Sequence, residues 1–102
     1  MQLVNLTPHK INIHGKTIDP TGYVSRVNNV QSQVDTVDGI PILVTTVTEA
    51  THLPDAEKGT YFIVPAIVRM SVPKRKDLLS PVKLIRNRDG DVVGCAAFER
   101  NA

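Results

Sequence analysis

Branching at the β-carbon dominates this chain. Val, Ile and Thr supply 14, 8 and 9 of its 102 residues, against only 7 Leu. Such side chains are stiff about their first torsion and fit a pleated strand better than a helix. Seven Pro and six Gly are spread along the chain rather than gathered, so they punctuate short elements and mark no linker. No repeat period or low-complexity tract is visible. The sequence therefore predicts one compact domain over residues 1–102, mainly β or α+β. Antiparallel hairpins would form a small sheet or partial barrel.

The turns carry the rest of the fold signal. Ile11 and Ile13 alternate with polar residues before His14-Gly15 returns the chain into Lys16-Thr17-Ile18. Residues 34–37 run into Asp38-Gly39 and on into 40–47, and residues 82–87 meet Arg88-Asp89-Gly90 before 91–98. Asp-Gly is favoured where both turn residues take positive φ, which makes the second and third hairpins the stronger signals. Asp19-Pro20-Thr21-Gly22 reads as a turn feeding a strand over 23–27, and 60–64 as a short buried strand. One short helix is expected near 65–72, because Pro65 suits a first helical turn and Pro73 stops it. A helix of two turns holds only when packed on the sheet.

Composition excludes several classes. With 41% hydrophobic and 22% charged residues, the chain has the profile of a folded domain and not of a disordered one. A single cysteine, Cys95, forms no internal disulfide, which argues against a small secreted scaffold. The first six residues lack a basic-then-apolar leader, and no apolar run approaches the roughly 20 residues of a spanning helix. A cytoplasmic protein with no membrane partner is expected. The histidines, His9, His14 and His52, show no paired ligand spacing, so no metal and no cofactor is expected. Cys95 sits in the apolar stretch Val92-Val93-Gly94-Cys95-Ala96-Ala97, a core setting and not that of a nucleophile. Neither a nucleophile elbow nor a phosphate-binding glycine loop exists, and Glu49, Glu57 and Glu99 form no evident acid/base pair. These absences predict a protein that is not an enzyme.

The cationic and polar groups say more. Pro73-Lys74-Arg75-Lys76-Asp77 concentrates charge in a loop, and Arg69 precedes it on the short helix. Arg26 ends the predicted strand over 23–27. Arginine offers a planar fork of donors that matches phosphate. A solvated basic loop is the plainer account of Lys74 and Lys76. Arg69, among Ile67, Val68 and Met70, is expected to bury its stem and aim its head at a partner. A net charge of +2 and four scattered aromatics do not make a nucleic-acid stripe, so nucleic acid is not the expected partner. Asn5, Thr7 and His9 crowd donors and acceptors beside Pro8, as turn residues or as groups reading a ribose or phosphate.

Val4-Asn5-Leu6-Thr7-Pro8-His9 resembles the opening of a family of small bacteriophage and prophage proteins of unassigned activity. The likeness continues through residues 20–27, 39–41, 53–54, 61–68, 75–78 and 86–94, and so spans most of the chain. Phage proteins of this size include anti-defence sponges that hold nucleotide signals between subunits, with arginines on phosphates and aromatics on bases. That analogy of class transfers no residue roles.

Together these features predict a non-enzymatic, phage-derived binding protein that sequesters a small anionic, nucleotide-like signal such as a cyclic nucleotide. The ligand residues would be Asn5, Thr7, His9, Tyr23, Arg26, Tyr61, Arg69 and Arg75, with Tyr23 or Tyr61 stacking on a base. A homo-oligomer with a pocket shared between subunits is the expected geometry. The alternative is a protein-interaction module that inhibits or scaffolds a host or phage macromolecule through an exposed strand edge or the basic loop.

Overall fold

The computed structural model describes residues 1–102. Eight strands and one helix follow in chain order: β1 (Gln2–Asn5), β2 (Ile11–Ile13), β3 (Lys16–Ile18), β4 (Asn29–Val37), β5 (Ile40–Val47), β6 (Thr60–Ile63), α1 (Ala66–Ser71), β7 (Leu78–Arg86) and β8 (Val92–Arg100). Six strands form one sheet in the order β1-β6-β7-β8-β2-β3, and β4 and β5 pair only with each other. The β-rich class and the three hairpins read from the sequence are present.

Turn chemistry explains the hairpins. His14-Gly15 and Asp38-Gly39 both place two consecutive residues at positive φ, 50° and 75° in the first pair and 50° and 76° in the second. That conformation matches the right-handed twist of the flanking strands. Asp tolerates it, and His14 gains a tertiary partner by adopting it: its Nε2 donates to the carbonyl of Ala96 on β8 at 2.8 Å. The last hairpin uses a longer loop, in which the Asn87 side chain accepts from the amides of Asp89 and Asp91.

Parallel pairings join these hairpins into one sheet. β6, α1 and β7 form a strand–helix–strand crossover, the connection that parallel neighbours require. β1 pairs parallel to β6, and β2 touches β8 in parallel at Ile13 and Cys95. Gly94 permits that approach, since a Cβ there would lie 2.8 Å from the carbonyl oxygen of Asn12. The sheet curls until its outer strands nearly meet, with a bridge from Asn5 to Pro20 just beyond β3.

Alternation along β6 divides the core between two faces. Phe62 and Val64 pack with Leu6, Leu78 and Val68 of α1 on one side. Ile63 points into the curl with Ile11 and Cys95. The strand expected over 23–27 does not form. Its residues make a single bridge from Arg26 to Thr51, because Ser25 spends its amide on the Leu6 carbonyl and its hydroxyl on the Thr51 carbonyl.

The β4–β5 hairpin stands away from this core, with every residue of both strands exposed. Its projection accounts for a radius of gyration of 16.5 Å, against about 13 Å for a compact chain of this length. A β-bulge at Val34 shifts the register between Gln33 and Asp35. Val30 and Val37 lie seven residues apart and would face opposite ways without that extra residue. With it, Val30, Val37, Ile40, Ile42 and Val44 share one face, which also carries Ser32, Asp35 and Thr46, since direct cross-strand partners lie side by side. The other face carries Asn29, Gln31, Gln33, Thr36 and Thr45, with Pro41, Leu43 and Val47.

Candidate functional site

The polar residues of the opening segment are turned inward. Asn5 is 1% exposed, and its carboxamide is saturated. Its Nδ2 donates to the carbonyls of His9 at 2.9 Å and Ile18 at 3.0 Å, while its Oδ1 accepts from the Thr7 amide at 3.0 Å and hydroxyl at 2.7 Å. The Thr7 hydroxyl is shared with the carbonyl of His9. This latch ties the end of β1 to the end of β3 and fixes the curl of the sheet. Of Asn5, Thr7 and His9, only the His9 side chain remains at the surface.

Arg69 is also committed within the chain, and the expectation that its head reaches a partner is corrected here. Its Nε donates to Ser80 Oγ at 2.9 Å, one terminal nitrogen to Asn101 Oδ1 at 3.0 Å and the other to Glu99 Oε1 at 2.7 Å. Asn101 in turn donates to the carbonyls of Arg69, Val72 and Arg75, satisfying the C-terminal end of α1. A six-residue helix has no stability of its own, and this network pins it to β7 and β8.

Arg75 is paired bidentately with Asp77 at 2.8 Å through Nε and one terminal nitrogen, and that terminal nitrogen also donates to the Pro54 carbonyl at 3.0 Å. Hydrogen bonding from Arg75 holds the Asp77 carboxyl below its ordinary range, and the Arg75 guanidinium is correspondingly raised. Arg26 is exposed, with only its backbone bonded to Thr51. Tyr61 lies half-buried on β6. Tyr23 is 68% exposed, and its ring tilts against His52 with centroids 6.2 Å apart.

The eight residues therefore do not converge on one hollow. Asn5 and Thr7 form the latch, Arg69 braces α1, and Tyr23, Arg26 and Arg75 border a third region. There, a shallow depression of about 520 Å³ is walled by Leu6, Tyr23, Ala50, His52, Leu53 and Pro54. Arg75 reaches it through the Pro54 carbonyl, and Arg26 adjoins it through Thr51.

Two features were not read from the sequence. One is the apolar face of the β4–β5 arm. The other is a groove of about 810 Å³ between the start of β2 and the β7–β8 hairpin, walled largely by apolar atoms of Ile11, Pro65, Leu84, Val92, Val93 and Cys95. Burial pushes the Cys95 thiol up, which keeps it protonated and poorly nucleophilic. No three His, Cys, Asp or Glu side chains gather as metal ligands, and no helix is long and apolar enough to cross a membrane. No family model, curated protein or solved structure matches the chain.

Proposed function

We propose that this chain is a non-enzymatic, phage-borne protein-interaction module whose β4–β5 arm is the contact surface. The observation that carries this reading is the arm itself: five aliphatic side chains on one face, each at least 41% exposed, on a hairpin unpaired with the main sheet. An isolated two-stranded hairpin is marginal in water, so a chain that holds this shape gains from covering it. Docking through the arm would inhibit or scaffold the macromolecule it meets. The internal use of Asn5, Thr7 and Arg69 favours this over a phosphate cage built from those residues.

The test compares the intact chain with Ile42→Asp in sedimentation and in affinity capture from infected and uninfected host extracts. A protein complex, with itself or another chain, that forms with the intact arm and is lost in the variant is the expected result. A monomer that captures nothing, or capture undisturbed by the variant, overturns the proposal. A second reading is favoured by the Tyr23–His52 pair beside Arg26 and Arg75: a stacking platform for a small anionic nucleotide-like ligand. Calorimetry with cyclic nucleotides tests it, and binding lost in Tyr23→Ala is its expected outcome.

A further inference from the structure

We infer that the occupant of the arm's apolar face is a second copy of this chain, which receives the β4–β5 arm in its β2/β7–β8 groove. This rests on the arm being a docking surface, and it names the partner. Two uncovered apolar surfaces exist on one molecule, and they differ in shape. The arm is a projecting ribbon presenting Val30, Val37, Ile40, Ile42 and Val44, whereas the groove is concave and walled by Leu84, Val92 and Val93. Those three groove residues are themselves 45–50% exposed, so a strand pair laid between them finds apolar partners.

Charge favours the same match. Residues 29–47 contain Asp35 and Asp38 and no lysine or arginine. The groove is lined by His9 and Lys10, and the β7–β8 hairpin beside it carries Lys83, Arg86 and Arg88 against Asp89 and Asp91, which leaves its surroundings net positive. An acidic arm meeting a basic rim is steered into register, whereas two arms packed face to face would bring Asp35 toward its own copy.

Area sets the stoichiometry. The exposed parts of the five residues amount to roughly 400 Å², about half of the roughly 800 Å² per partner of a standard stable interface. When two chains each give an arm to the other and receive one in return, each buries about twice that area in one interface, which reaches the threshold. Only a reciprocal twofold pair places both arm-in-groove contacts in one interface; a ring would leave each interface at half that area. The arm suits this exchange because its strands make no pairing with the core that would have to break.

Sedimentation velocity of the full chain across concentrations, joined to cysteine cross-linking, tests the inference. Ile42→Asp on the arm and Leu84→Asp in the groove should each weaken self-association about thirtyfold or more, while Gln31→Asp on the arm's polar face should not. Far-UV circular dichroism confirms that each variant keeps its strands. In a Cys95→Ala background, a mixture of Ile42→Cys and Leu84→Cys chains should form a mixed disulfide between the two. Self-association with cross-linking of Ile42→Cys chains only to one another overturns the groove as the receiver and leaves the arm as a docking surface. A chain that stays monomeric up to about 100 µM overturns the inference outright. Arm-dependent capture of a different protein by that monomer would preserve the wider reading.

Discussion

Replacing Asn5 with alanine removes all four hydrogen bonds of the latch while deleting little buried volume. The Thr7 hydroxyl keeps its second acceptor, the His9 carbonyl at 3.0 Å, and so does not become an orphan. The Thr7 amide and the Ile18 carbonyl lose their Asn5 partner. Each buried group left unpaired costs about 1–3 kcal/mol, which gives roughly 2–6 kcal/mol for the pair. Against a total stability on the order of 5–15 kcal/mol, that is a large fraction. At about 4 °C per kcal/mol for a domain of this length, the melting temperature falls by roughly 8–24 °C. Thermal unfolding followed by circular dichroism reads this directly, with urea unfolding as a second measure. Asn5→Asp sharpens the test, because it preserves shape and the oxygen facing Thr7 but turns a carboxylate oxygen toward two carbonyls. It should destabilise more than Asn5→Ala at neutral pH. A loss below about 1 kcal/mol for Asn5→Ala, or an aspartate better tolerated than alanine, refutes the latch. A side chain reserved for a ligand would instead leave unfolding unchanged and abolish only ligand-induced stabilisation.

Gly94→Ala sets a methyl group 2.8 Å from the Asn12 backbone oxygen, so β2 and β8 must part; urea unfolding should show a loss of about 1–3 kcal/mol. Arg69→Ala strips Ser80 and Asn101 of a buried donor, and a comparable or larger loss, roughly 2–4 kcal/mol, is expected, with faster amide exchange over 66–75. Arg69→Lys should not restore full stability, since an ammonium group lacks the planar fork that reaches three acceptors. The Asp77 carboxyl is lowered in the folded chain, so its contribution is present above the unfolded value and is lost as pH falls below about 4. Asp77→Asn should therefore lower the melting temperature at pH 7 and converge with the parent chain in strong acid; an equal gap at both pH values contradicts the ion pair.

Much of the local structure was legible in the residues. Asp38-Gly39 and the β-branched runs beside it specify a hairpin because turn dihedrals and χ1 stiffness act over a few residues. Pro65 and Pro73 bracket α1 for the same reason. Ser25 shows where that logic stops: residues 23–27 read as a strand until its hydroxyl and amide found Thr51 and Leu6. The role of Arg69 was equally hidden, since its partners Ser80, Glu99 and Asn101 lie 11, 30 and 32 positions away. Asn5 was recognisable as either a turn residue or a ligand group, and the proximity of Ile18 decided it. The apolar face of the arm depends on one bulge at Val34, which no spacing rule reports. Sequence alone determined which segments are extended, where they reverse and that one short helix interrupts them, because those are short-range steric choices. Tertiary structure decided which polar groups are spent holding the curl and which apolar ones stay uncovered, because hydrogen-bond saturation and burial depend on neighbours brought together from distant parts of the chain.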